Sequence, residues 1–225
     1  YIFNYAKSVS KPCVINMSLG THIGPHDGTS TLDKVIDQLA SEGQIIVGAC
    51  GNEGGNKMHI GHNFTGDTIY TYPLLSNGND GMTTVDMWGE KGKDFSVQID
   101  IYSNNLQQYV YSSEFFSTSI NDNDDTTISV GPNSAEISFA GESSCALNQK
   151  SHFLLEYNLN NSDYEIYVNV TSNSGMVHMW NNTDNAGGDF SVTDALGFPL
   201  PGYTEGDNTH TAGEIGATAN DIIAV

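Results

Sequence analysis

Hydrophobic and polar positions follow two different rhythms along this chain. In the first fifty-odd residues the apolar residues come in short, nearly unbroken runs. CVINMSLG (13–20) and QIIVGAC (44–50) read as strands buried on both faces. Between them Leu32, Val35, Ile36 and Leu39 recur at i, i+3, i+4 and i+7, which predicts an amphipathic helix. Thr29, Ser30 or Thr31 is placed to cap its start, and Gly43 to lie past its end. Upstream, YIFNYAKSVSK predicts a helix that Pro12 stops near Lys11. Strand, helix and parallel strand make a βαβ unit, which is right-handed by strong preference.

From about residue 64 to 205 the rhythm changes to period two. Phe95, Val97, Ile99 and Ile101 fall on one side of a strand, as do Tyr164, Ile166, Val168 and Val170. Strand-like stretches recur as MTTVDMWGE, DFSVQIDIYS, QQYVYSSEFFS, TTISVG, SAEISFAG, SHFLLEYNL, DYEIYVNVTS and GMVHMWNN. Turn clusters such as SNGNDG, NDNDD, NNSD and NAGGD separate them. About eight such strands predict an antiparallel sandwich of the jelly-roll kind. The closing TAGEIGATANDIIAV returns to core-like sequence with a strand at DIIAV. The expected fold is therefore α/β, with a partial parallel-sheet core in 1–55 and 209–225. An all-β jelly roll or sandwich interrupts it at 56–208.

Charge narrows the partners. The 225 residues carry 27 acids against 7 lysines and no arginine, and 20 of the acids fall in 56–208. Phosphate recognition relies on Arg forks and Lys clusters, so nucleic acid is not an expected partner. No apolar run approaches the roughly 18 residues a membrane span needs. No signal peptide is visible, and both ends read as mid-domain sequence, which predicts a piece of a longer protein. Cys13, Cys50 and Cys145 match no zinc spacing and are expected as free thiols packed as small hydrophobes.

The chemistry gathers where QIIVGAC runs into Gly51-Asn52-Glu53-Gly54-Gly55. The carboxyl end of a parallel strand is where α/β sheets form crevices, and flanking glycines let another backbone come close. An Asn amide there offers two neutral N–H donors to a developing oxyanion. The same segment also suits a plain turn, since Asn and Gly dominate turns.

Taken together, VINMSLG, a helix and IIVGACGNEGG resemble the subtilases, the subtilisin-like serine peptidases. With ATANDIIAV, the resemblance covers about 70 of the 225 residues. It implies that Ser18, Leu19 and Gly20 bind extended substrate, that Ala49, Cys50 and Gly51 wall the S1 pocket, and that Asn52 is the oxyanion-hole donor. Glu53 and Glu214 align near S1 positions, which would favour a basic P1 side chain; displacement of Glu214 by the returning chain is the alternative. A large insertion after GNEGG is similar to that of the Csp germination proteases of spore-forming clostridia.

The Asp/His/Ser triad of that family would lie outside this stretch. Ser30, in DGTS, stands at a helix cap and in the wrong order for a nucleophile. His22, His26, His59, His62, His152, His178 and His210 show no metal spacing, with His59 and His62 expected near a cleft rim. The chain alone is expected to be inactive, as part of an exported enzyme of the extracellular space or cell envelope. Its expected partners are a peptide or protein substrate, the remainder of its own catalytic domain, and a second copy pairing through exposed sheet edges. No cofactor is expected. NDNDD (121–125) offers oxygens suited to calcium or to a solvated turn. Trp88, Trp180, Tyr102 and Tyr111 suit a sugar platform or the aromatic packing of a sandwich. The other readings left open are a non-catalytic subtilase relative and a β-sandwich module binding glycan or protein.

Overall fold

The computed structural model describes residues 1–74, 82–120, 135–159, 163–183, 186–213 and 217–225. In chain order the elements are α1 (Ile2–Ser8), β1 (Cys13–Met17), α2 (Thr31–Leu39), β2 (Gln44–Gly48), β3 (His59–Phe64), β4 (Asp67–Thr71), β5 (Thr83–Lys91), β6 (Ser96–Ser103), β7 (Gln108–Ser112), β8 (Phe116–Ser117), β9 (Ala135–Glu142), β10 (Lys150–Leu159), β11 (Tyr164–Ser172), β12 (Gly175–Thr183), β13 (Ala186–Gly187) and β14 (Ile223–Ala224). The chain divides into two compact units. Tyr1–Gly54 with His210–Val225 form the smaller, and Gly55–Thr209 the larger.

The larger unit is a two-layer antiparallel sandwich. One sheet is 6-stranded, in the order β13-β12-β5-β10-β9 with β3 also on β12; the other is 5-stranded, β4-β11-β6-β7 with β8 on β6. Period two explains the layers, because alternate residues of each strand point into one core. Val97, Ile99 and Ile101 of β6 and Val168 and Val170 of β11 are each 0 % exposed, and they meet Met87, Leu155 and Met179 from the facing sheet. Seven of the eight expected stretches carry strands; TTISVG lies outside the described residues.

The smaller unit holds a 3-stranded parallel sheet, β1-β2-β14, with Cys13 opposite Gln44 and Met17 opposite Gly48. Ser30 caps α2 as expected, its hydroxyl accepting from the Asp33 N–H at 3.0 Å.

The expected α/β class is corrected. Antiparallel strands dominate the secondary structure, and the α-helices among the described residues are two short ones. This is not the parallel α/β core of a subtilisin, although a sandwich agrees with the larger unit. Two spacing signals misled. CVINMSLG and QIIVGAC read as strands buried on both faces, yet Val14 is 61 % exposed and Ile45 40 %, so that face of the sheet is open. The apolar stripe of α2 is also mostly outside: Leu32, Val35 and Leu39 are exposed, and the helix buries Ile36 and Asp33. Asp33 is tolerated there because the hydroxyls of Ser30 and Thr218 each donate to its carboxylate at 2.8 Å.

Candidate functional site

In the smaller unit, the in-register parallel pairing sends two segments off the carboxyl end of the sheet at one level. Ser18-Leu19-Gly20 leave β1 and Ala49-Cys50-Gly51 leave β2, one step beyond Met17 opposite Gly48. Ser18, Leu19 and Gly20 are exposed, and the Asn16 amide donates to the Ser18 hydroxyl at 3.3 Å. Ala49 and Cys50 are half-buried. Their N–H groups reach Met17 O at 3.2 Å and Val225 O at 2.8 Å, and Cys50 O accepts from Gly213 N–H at 3.1 Å. The turn bearing Asn52 thus starts from a backbone fixed on three sides.

Gly51 then takes φ +103°, in the region open to glycine. A Cβ there would sit 2.6 Å from the Glu53 Oε2 atom. The space is filled because the Glu53 carboxylate folds back and accepts the Asn52 N–H at 2.7 Å. The same oxygen lies 3.1 Å from Nε2 of His22. Asn52 itself is exposed, and no hydrogen bond among the described residues engages its carboxamide. Glu214 lies outside the described residues, as does the NDNDD segment weighed for calcium.

His22 is a residue that sequence reasoning passed over. It is 7 % exposed, and its Nδ1 is buried with no hydrogen-bond partner among the described residues. His26 lies alongside with ring centroids 6.3 Å apart; its two nitrogens lie 3.1 Å from His22 O and 3.0 Å from Ala212 O. The only signal in the sequence was the spacing of His22 and His26 in the loop directly after the SLG segment.

His59, His62, His152 and His178 belong to the sandwich. His59, in β3, is 1 % exposed and is held between Asp207 at 3.0 Å and His178 at 2.9 Å. His62 pairs with Asp67 at 2.7 Å. Trp88 and Trp180 are 4 % and 2 % exposed, packed with Met58 and Cys145, so they form core rather than a sugar platform. The fully buried Asp86 explains part of that packing: it accepts from Trp88 Nε1 at 3.0 Å and from His152 Nε2 at 2.7 Å. Burial pushes the Cys145 thiol above its ordinary range, so it is an inert packing group.

No protein-family model matches the chain, and no curated protein matches it. Among solved structures it is similar to the Clostridium perfringens CspB protease. The TM-score is 0.60 at 19% identity, over 88% of this chain and 41% of that one. At that identity the likeness is one of fold. The chain spans well under half the length of the protease it resembles.

Proposed function

We propose that this chain is the oxyanion-donor and substrate-strand portion of a subtilase-related serine endopeptidase, inactive without the rest of the catalytic machinery. The observation that carries the reading is the exposed carboxamide of Asn52, engaged by no hydrogen bond among the described residues, at the carboxyl end of β2, one strand from the open Ser18-Leu19-Gly20 segment. In this reading a peptide lies extended along Ser18–Gly20, and Ala49, Cys50 and Gly51 bound the pocket for its side chain. Asn52 then donates to the oxyanion that forms when the carbonyl carbon is attacked. The fold likeness to a protease supports the assignment.

The test is fluorophosphonate labelling of the full-length protein that contains this chain, beside its Asn52→Ala variant. Loss of one such donor, measured on a subtilisin, costs about a hundred- to a thousand-fold in rate. Slowing of that order is the expected result. Equal labelling of both proteins, or no labelling of folded wild type, overturns the proposal.

A further inference from the structure

We infer that His22 is a positioning residue for Asn52, acting through the Glu53 carboxylate; the inference rests on the reading of Asn52 as oxyanion donor. One oxygen, Glu53 Oε2, joins the two. It accepts the Asn52 N–H at 2.7 Å and faces His22 Nε2 at 3.1 Å. Side-chain exposures of 9 % for His22 and 16 % for Glu53 keep solvent from competing for most of that contact.

The tautomer follows from the other ring nitrogen. His22 Nδ1 is buried and has no hydrogen-bond partner among the described residues, so a proton there would be a buried N–H with no acceptor among them. The proton therefore sits on Nε2 and is donated to Glu53. Beside it, His26 Nε2 lies 3.1 Å from the His22 carbonyl and His26 Nδ1 3.0 Å from Ala212 O; both oxygens only accept, so a neutral His26 donates to one of them. The order of support runs from His22 to Glu53, and then to the peptide nitrogen of Asn52. Gly51 completes it, because a Cβ there would crowd the carboxylate oxygen at 2.6 Å.

The arrangement fixes the Asn52 peptide plane while leaving its side chain free to meet a ligand. It also engages Glu53 locally, drawing its carboxylate back under the turn. An oxyanion donor needs a fixed origin to act without reorganising, and a charge-assisted hydrogen bond is the stronger kind of tether.

The experiment has two arms, the first on this chain and the second on the full-length protein that contains it. In the first, amide hydrogen exchange of Asn52 is followed by NMR in wild type, His22→Ala, His22→Gln and Glu53→Gln. His22→Ala and Glu53→Gln are each expected to speed exchange about tenfold or more, the worth of a hydrogen bond to a charged group. His22→Gln, whose amide can still donate to Glu53, is expected to restore the slow rate. In the second arm, fluorophosphonate labelling of the intact protein is expected to slow in His22→Ala and recover in His22→Gln, with peptide KM unchanged. An Asn52 amide that exchanges at the wild-type rate in both His22→Ala and Glu53→Gln overturns the inference. So does His22→Gln behaving like His22→Ala. Wild type that fails to label overturns the peptidase reading instead, and the amide arm still decides whether His22 positions the turn.

Discussion

His59 and His178 meet ring nitrogen to ring nitrogen at 2.9 Å, with the far nitrogen of His59 on Asp207 at 3.0 Å. Given Nδ1–H to Asp207, His59 presents Nε2 as acceptor, and His178 donates its Nδ1–H. Gly61 leaves room for the pair, since a Cβ there would come within 3.2 Å of both rings. His59 thereby ties the first strand of the sandwich to β12 and to the segment that leaves it. His59 and Asp207 also exchange backbone hydrogen bonds, at 2.7 and 3.3 Å, and Lys57 pairs with Glu205 beside them.

Acid should loosen this tie. Burial pushes the Asp207 carboxyl up, but hydrogen bonds from Thr209 and His59 outweigh it and leave the carboxyl below the usual carboxylate range. A lowered folded-state value gives stability that is present above the unfolded value of about 3.9 and is lost as pH falls through the folded one. Urea unfolding across acid pH should show a falling midpoint in wild type and a shallower fall in Asp207→Asn. Identical slopes would mean that Asp207 contributes nothing to acid stability.

Close backbone approach at the same place makes a second expectation. A Cβ on Gly206 would lie 1.9 Å from Lys57 O and 2.8 Å from its carbonyl carbon, neither of which can move aside alone. Gly206→Ala should destabilise the protein by about 1–3 kcal/mol or more, as overpacking does. Gly66→Ala is the control. Gly66 has φ +94° and nothing within 4 Å, so it incurs backbone strain alone, about 1–2 kcal/mol. Chemical denaturation of both variants separates collision from strain. A Gly206→Ala protein as stable as wild type would refute the crossing geometry.

Alkaline titration probes the sandwich from the other side. Burial raises the phenols of Tyr72, Tyr157, Tyr167 and Tyr203 well above the ordinary tyrosine range, helped at Tyr72 and Tyr167 by the neighbouring Glu165 charge. A raised value gives stability that is full below the unfolded value of about 10 and is lost as pH rises toward the folded one. Phenolate absorbance from these four should appear together with loss of β-sheet circular dichroism. Their ionisation within a still-folded protein would contradict the packing.

The sandwich was legible because its signal is local. Alternation in β6 and β11 placed Val97, Ile99, Ile101, Val168 and Val170 inward without knowledge of their partners. β3 and β4 escaped notice. HIGHNF and DTIYT carry Gly, His and Asp at positions that a period-two reading expects to be apolar. His59 is inside because Asp207, 148 residues on, and His178, 119 residues on, satisfy its two ring nitrogens. The smaller unit misled for the opposite reason, as its apolar runs are genuine but one face of them is open. In the site, Asn52 was marked by its glycines. His22 was not, because its partner Glu53 stands 31 residues away and only the folded loop brings them together.

The fastening of Lys57 and His59 to Glu205 and Asp207 has a consequence for how such a chain can change over time. Closing a long excursion costs entropy that grows only slowly with its length, by about 0.6 kcal/mol per doubling. Here the closure is made by residues of the excursion itself. Hairpins of the sandwich can therefore lengthen, shorten or be replaced while the flanking polypeptide still meets the same two adjoining ends. That is the condition under which a module can be transplanted whole from one host sequence to another.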